Sequence, residues 1–347
     1  MSDRFEAVTA ELRARPRRWL VTGAAGFIGS NLVEWLLANG QEVVGFDNFA
    51  TGHRRNLPAA GDSRFTFIEA DVRELGACRE ACRGVDIVLH QAALGSVPRS
   101  LKDPLTTHEV NVTGTLHLLL AAKDAGVKRF VYASSSSVYG DEPALPKVED
   151  RVGKALSPYA ASKQADELYA QIVTDAYRLE TIGLRYFNVF GRRQDPEGAY
   201  AAVIPRWVAA LLRHEVCTIF GDGETSRDFC YVDNVVQANV LAAMAPPKST
   251  AVNRVYNIAC GERTTLKQLY RMIRDRLAEV DPVIGVLEPA YENERPGDIR
   301  HSQADISRAK EHLGYQPVYG VAEGLDRTMA WYVEQARTAG DQGSRFA

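Results

Sequence analysis

Tyr159 and Lys163 stand in the stretch Ser157-Pro158-Tyr159-Ala160-Ala161-Ser162-Lys163. On a helix, positions i and i+4 share one face. An ammonium beside a phenol favours the phenolate. A tyrosine tuned in this way can act as a general base near neutral pH. A serine run, Ser134 to Ser137, lies upstream, and a glycine-rich turn opens the chain.

That turn reads Trp19-Leu20-Val21-Thr22-Gly23-Ala24-Ala25-Gly26-Phe27-Ile28-Gly29. A strand should precede it and a helix follow it. Gly23 permits the tight turn, Gly26 lets backbone approach a pyrophosphate, and Gly29 lets helix and strand pack closely. The pyrophosphate is expected at the positive helix N-terminus. Asp47 closes the next strand. A carboxylate there accepts from an adenosine ribose and repels a 2′-phosphate, which favours NAD over NADP. Asp71-Val72, after the third strand, fits an adenine contact, and Asp71 fits a helix N-cap equally.

The surrounding pattern is that of an α/β protein. Strands are expected at Arg18 to Thr22, Glu42 to Asp47, Arg64 to Ala70, Val85 to Gln91, Arg129 to Ser134, Glu180 to Tyr186 and Val255 to Ile258. Helices are expected at Ile28 to Asn39, Pro104 to Ala125 and Tyr159 to Tyr177. Strands alternating with helices predict a doubly wound parallel sheet, the Rossmann arrangement. After Asn188 the pattern loosens. A loop at Phe190 to Gly198 precedes a helix at Ile204 to Arg213 and a strand at Val216 to Phe220. A helix at Thr264 to Ala278 and a polar loop at Glu288 to Arg300 follow. This implies a lead-in helix (1–17), a discontinuous dinucleotide-binding domain (18–188 and 229–260), a smaller substrate-binding α/β domain (189–228 and 261–337) and a frayed tail (338–347).

Composition narrows the class. Of 347 residues, 46% are hydrophobic and 24% charged, ordinary for a globular protein. The net charge of -3 gives no support to nucleic-acid or membrane-surface binding. No apolar run approaches the ~18 residues of a membrane span. The N-terminal stretch lacks a signal-peptide core. The five cysteines are scattered, which predicts reduced thiols and a cytoplasmic location. The histidines show no ligand spacing, so no metal is expected.

Taken together, these motifs resemble the extended short-chain dehydrogenases/reductases. More narrowly, the chain resembles nucleotide-sugar 4-epimerases of the UDP-N-acetylglucosamine type, which serve O-antigen synthesis. The resemblance runs from about Arg18 to beyond Trp331. It rests on four blocks: His90 to Ser100, Leu184 to Pro196, Gly221 to Phe229 and Arg295 to Ser302. It implies tightly held NAD, contacted by Gly23, Gly26, Phe27, Ile28, Gly29, Asp47, Asn48, Asp71, Val72, Gln91, Ala92, Ala93, Tyr159, Lys163 and Tyr186. Tyr159 would take the proton of the sugar 4-hydroxyl while the 4-hydrogen leaves as hydride. The 4-keto sugar would turn over and be reduced from its other face. Lys163 would hold the nicotinamide ribose, and Ser135 would hydrogen-bond the 4-oxygen.

For a UDP-sugar, the resemblance assigns Asn188, Arg227 and Arg295 to the diphosphate and Asp298 to the ribose. Arginine's planar fork suits a diphosphate. Ala202, Val203, Trp207, Thr218, Ile219 and Phe220 fall where the family encloses uracil, although core packing explains these apolar residues equally well. Ser136 and Ser137 would line the sugar pocket with Ser135, while Gly95 and Ser96 stand on the opposite loop. Ser302 takes the position of a gate beside the sugar's 2-substituent. A small residue there admits an N-acetyl group without strongly rejecting a hydroxyl. A homodimer through a four-helix bundle of Pro104–Ala125 and Tyr159–Tyr177 is implied as well.

Three rivals share this scaffold. A 4,6-dehydratase needs an Asp-Glu pair where this chain has Ser136 and Ser137. A redox-sensing NAD-binding regulator would typically lack the Tyr/Lys pair. A UDP-glucuronate 4-epimerase shares the serine run, but no group for its substrate's carboxylate stands out.

Overall fold

A computed structural model describes residues 3–58, 61–196, 201–294 and 299–343, with side chains to 336. Seven parallel strands form the central sheet. Six are β1 (Arg18–Thr22), β2 (Glu42–Asp47), β3 (Phe65–Glu69), β4 (Ile87–His90), β5 (Arg129–Ser135) and β6 (Glu180–Tyr186), and the seventh is Arg254–Ile258. Their order is Arg254–Ile258, β6, β5, β4, β1, β2, β3. The order reverses between β4 and β1. Thr22 pairs there with Phe46 on one side and His90 on the other. In open α/β sheets a ligand crevice forms beyond the carboxyl ends of strands at such a reversal. Gly23, Asp47, Gln91, Ser135 and Tyr186 all stand at or just past those ends.

Helices cover both faces. The first seven are α1 (Asp3–Ala14), α2 (Phe27–Ala38), α3 (Leu75–Ala81), α4 (Val97–Lys102), α5 (Pro104–His108), α6 (Gly114–Asp124) and α7 (Pro158–Tyr177). Trp19 and Val21 pack with Leu32, Leu36 and Val235 on one face, while Leu20 and Val88 pack with Leu118, Leu119 and Val173 on the other. Burial on both faces is why these strands read as continuous apolar runs. A third core gathers Trp207, Ile219, Tyr270, Ile273 and Leu325. No helix among the described residues is long and apolar enough to cross a membrane.

Several expectations need correcting. The span 104–125 is interrupted by a π-helical turn, Glu109–Thr113, between α5 and α6. Thr264–Thr265 is a short strand, and Thr265 instead caps the Leu266–Ala278 helix in a capping box with Gln268. The polar stretch from Glu288 contains a strand, Ala290–Glu292, paired with Thr218–Phe220. That pairing begins at Thr218, two residues later than Val216. The last helix runs from Val321 to Gly343, into the stretch read as a frayed tail.

Candidate active site

The glycine turn meets its geometric demands. Gly23 has φ +67°, and a Cβ there would lie 2.9 Å from Ala92 N. A Cβ on Gly29 would lie 2.0 Å from Gly23 O. Gly26 is the N-cap of α2 and offers no side chain to the first-turn N–H groups. Those groups and the helix dipole therefore point at any anion in the turn. Asp47 steadies the cradle, accepting from Ala25 N at 2.9 Å and Phe49 N at 2.8 Å. Each carboxylate oxygen keeps a further lone pair for a ribose hydroxyl.

The cradle opens into a cavity of about 520 Å³. Gly23, Gly26 to Gly29, Asp47, Asn48, Val72, Gln91 to Ala93, Gly95, Ser135, Ser136, Tyr159, Lys163, Tyr186 and Asn188 line it together. A second cavity of about 320 Å³ adjoins it, lined by Ala202, Val203, Trp207, Thr218, Phe220 and Arg227. Asn188, Val189 and Gln194 belong to both walls. Asn188 takes φ +34°, a backbone state that Asn tolerates better than most residues, at this junction.

Tyr159 reaches the cavity because of how α7 begins. Ser157 accepts from Ala160 N at 3.1 Å and Pro158 occupies the first turn, a strong helix start. The first turn of a helix that follows β5 sits at the carboxyl end of the sheet, with Tyr159 on it. Lys163, one turn on, is buried, and its Nζ donates to Ala133 O at 2.9 Å and Asp166 Oδ2 at 3.0 Å. Burial pushes its pKa down, but the charges of Asp166, Tyr159 and Glu167 outweigh burial and raise it. Lys163 is a fixed cation at the cavity wall. Arg185 on β6 locks α7 in register, donating to Glu167 at 2.8 and 2.7 Å, and Ser134 donates to the same carboxylate at 2.6 Å.

Ser135 Oγ accepts the Ser137 N–H at 3.1 Å, which leaves its own proton to donate into the cavity.

Other expected residues stand differently. Ser96 caps α4 by accepting from Arg99 N and does not line the cavity. The Ser137 hydroxyl is buried without a hydrogen-bond partner and lies outside the cavity wall. Ile219 is fully buried in the third core, so core packing accounts for it. Asp71 is engaged by Arg73, at 3.0 and 2.8 Å, and by Asn48 at 2.8 Å. The Arg73 guanidinium holds its pKa down at about 2. It caps no helix, since Glu74 is the N-cap of α3. Ser302 is tied to the Ser226–Arg227 strand by its N–H to Ser226 O at 3.0 Å and lines neither cavity. Arg295 and Asp298 lie outside the described residues.

Sequence reading missed several contributors. Gln194 stands on both cavity walls. Thr51 lines the first cavity. Asn111, in the π-helical turn, accepts from Leu94 N at 2.8 Å and donates to Ser162 Oγ at 2.9 Å, fixing the loop after β4 against α7. A π-turn often marks a functional position, but its sequence carries no signal for it. Among the described residues no group of three or more His, Cys, Asp or Glu forms a metal site.

A dinucleotide cradle with a Tyr–Lys pair at its far end defines an extended short-chain dehydrogenase/reductase. Comparison with known proteins agrees. Residues 19–259 match the NAD dependent epimerase/dehydratase family, and the chain belongs to that family. It is 40% identical over 320 residues to UDP-glucose 4-epimerase of Mycolicibacterium smegmatis, covering 91% of this chain and 98% of that one. It is 33% identical to UDP-glucuronate 4-epimerase of Thermodesulfobacterium geofontis, covering 91% and 96%. Among solved structures, UDP-N-acetylglucosamine 4-epimerase of Methanobrevibacter ruminantium, in complex with UDP-N-acetylmuramic acid, is 38% identical with a TM-score of 0.85, covering 92% and 99%. UDP-glucose 4-epimerase of Thermotoga maritima, with UDP-glucose, is 36% identical with a TM-score of 0.84, covering 92% and 99%. MoeE5, in complex with UDP-glucuronic acid and NAD, is 35% identical with a TM-score of 0.78, covering 92% and 99%. The chain is therefore an NAD-dependent nucleotide-sugar 4-epimerase.

Proposed function

We propose that this enzyme interconverts UDP-N-acetylglucosamine and UDP-N-acetylgalactosamine, and UDP-glucose and UDP-galactose more slowly. The observation that carries this reading is free space at the sugar end. A Cβ built on Gly95, in the cavity wall, meets nothing within 4 Å. Ser302, at the family's gate position, is small and is tied through its backbone to Ser226. The M. ruminantium relative, solved with a UDP-sugar larger than glucose, supports the same reading.

The residues fit NAD: the glycine cradle leaves no room for side chains, the first turn of α2 is uncapped, and Asp47 faces the cavity. NAD, when bound, accepts the C4 hydride and returns it. Tyr159, as phenolate, takes the 4-hydroxyl proton and gives it back. Lys163 favours that phenolate and holds the nicotinamide ribose. Ser135 donates to the 4-oxygen and steadies it as a carbonyl forms. Asn188 and Arg227 hold the diphosphate beside Gln194, while Trp207, Val203 and Phe220 enclose the base, leaving the sugar free to turn over.

A homodimer belongs to the same proposal. Leu101, Leu105, Leu168 and Ile172 are more than half exposed on α4, α5 and α7, which pack together. An exposed apolar face of this kind suits a partner copy.

Product analysis tests the activity: purified protein is incubated separately with UDP-N-acetylglucosamine, UDP-galactose and UDP-glucuronate, without added NAD. UDP-N-acetylgalactosamine formed fastest of the three products is the expected result. Turnover of UDP-glucuronate alone would transfer the assignment to that substrate.

A further inference from the structure

Behind the Tyr159–Lys163 pair runs a buried polar chain that the proposed chemistry leaves unused. Lys163 Nζ donates to Asp166 Oδ2 at 3.0 Å, and their side chains are only 3% and 1% exposed. Burial raises the Asp166 pKa to about 6, while the Lys163 charge and hydrogen bond and the Thr115 hydroxyl, from α6, favour its charged form. Thr115 Oγ1 lies 2.9 Å from His90 Nε2, and His90 Nδ1 lies 2.7 Å from Thr22 Oγ1. Thr22 Oγ1 accepts the Gln91 and Ala92 N–H groups, each at 3.2 Å. The chain thus starts at the cavity wall after β4 and ends at the ammonium of Lys163.

Donor counting orders this chain. His90 is fully buried, and burial, with Lys163 nearby, pushes its pKa down to about 3, so the ring is neutral. A neutral ring has one donor and one acceptor. Thr22 already accepts two N–H groups, so its proton goes to His90 Nδ1. Nε2–H then donates to Thr115, whose own proton is directed at Asp166.

A purely structural ion pair is the rival account. Buried pairs contribute little net stability unless every lone pair is satisfied. Asp166 meets that condition only in part: Oδ1 is buried without a close hydrogen bond, and the Thr115 hydroxyl only approaches the carboxylate. What the pair does provide is a defined position and charge for Lys163. A lone buried lysine drifts toward its neutral form.

We infer that Asp166 is a positioning residue for the epimerase reaction: its carboxylate fixes the Lys163 ammonium at the cavity wall, and the Thr115–His90–Thr22 chain fixes Asp166. This rests on the catalytic reading of Tyr159 and Lys163. The other charged or titratable groups around the pair are Tyr159 and Glu167 on α7, Tyr132 on β5, His90 on β4, and Arg185 on β6, which neutralises Glu167. Asp166 is the carboxylate hydrogen-bonded to Nζ. Without it, Lys163 loses its proton at lower pH, and the alkaline limb of activity moves to lower pH.

The test uses the NAD-containing enzyme with Asp166→Asn, Asp166→Glu and Tyr159→Phe variants. The readouts are kcat, KM, their pH profiles and thermal stability. Asp166→Asn is expected to lower kcat about tenfold with little change in KM. Its alkaline limb should shift by about one pH unit or more toward acid, and Asp166→Glu should restore part of that shift. A wild-type kcat and profile in Asp166→Asn overturns the inference. So does a loss that follows melting temperature while the profile stays put. If Asp166→Asn does not fold, Thr115→Val decides: a smaller shift in the same direction supports the inference, and an unmoved limb overturns it. Activity surviving in Tyr159→Phe would overturn the catalytic reading itself, whatever the Asp166 variants do.

Discussion

Adding one methyl group at Gly29 should separate cofactor from enzyme. The Cβ of Gly29→Ala would lie 2.0 Å from Gly23 O and 2.7 Å from Gly23 C. Real Cβ contacts begin at 3.0 Å, a full ångström further out. The obstacle is backbone, so no side chain can swing aside. Either α2 slides outward or the turn at Gly23 opens. Overpacking of this kind costs about 1–3 kcal/mol, and a backbone obstacle places this case near about 3. With an unfolding entropy of about 2.1 cal/mol/K per residue, a chain of 347 residues would melt about 4 °C lower. The cofactor is weakened as well, because the same shift moves the N–H groups of Phe27, Ile28 and Gly29 off the pyrophosphate. Losing one charge-assisted hydrogen bond, about 1.5–3 kcal/mol, weakens NAD about ten- to a hundredfold. The assay is NAD released from purified protein by acid, with melting temperature alongside. Gly76→Ala is the control: Gly76 lies exposed in α3 with nothing near its Cβ. That change should leave NAD untouched and stabilise by roughly 0.5 kcal/mol. Wild-type NAD content and melting temperature in Gly29→Ala would refute the packing argument for the cradle.

Three further outcomes follow from named contacts. Ser302→Tyr should abolish turnover of UDP-N-acetylglucosamine and spare UDP-galactose, measured as initial rates; equal losses on both would end the gate argument. Asp47→Ala should yield protein lacking NAD and, through lost bonds to Ala25 and Phe49 N–H, cost about 2 kcal/mol of stability in urea unfolding; full NAD retention would place the ribose contact elsewhere. His90 is neutral in the fold with its pKa pushed down to about 3, whereas in the unfolded chain it takes a proton near pH 6.5. The unfolded state thus binds more protons below that value. The stability His90 contributes is complete above about pH 6.5 and is lost as pH falls toward 3, at up to ~1.4 kcal/mol per unit. His90→Asn should flatten the slope of unfolding free energy between neutral and mildly acid pH; an unchanged slope would assign that acid sensitivity to other groups.

How far the sequence reveals such a molecule depends on the range of the interaction concerned. The bounds of β1, β2 and β6 are readable because parallel strands buried on both faces must be unbroken apolar runs. The glycine spacing is readable because Gly23 needs a positive φ and Gly26 and Gly29 each answer a contact with Gly23 within the turn. Tyr159 and Lys163 are readable because helical periodicity alone brings them to one face. The Ala290–Glu292 strand is hidden, since its pairing with Thr218–Phe220 compensates for a polar sequence with no strand signal of its own. The π-turn around Asn111 is hidden because apolar spacing continues through it. Most hidden is the chain behind Lys163. Thr22, His90, Thr115 and Asp166 come from β1, β4, α6 and α7, and each by itself reads as an ordinary strand or helix residue. Only the sheet order, which sets β1 beside β4 and lays α6 and α7 across one face, closes them into a single path. The reacting pair is therefore a local feature, while the apparatus that would hold its charge in place is a property of the topology. A chain could keep Tyr-x-x-x-Lys intact and still lose that tuning through a substitution at Thr115, far from either residue in sequence.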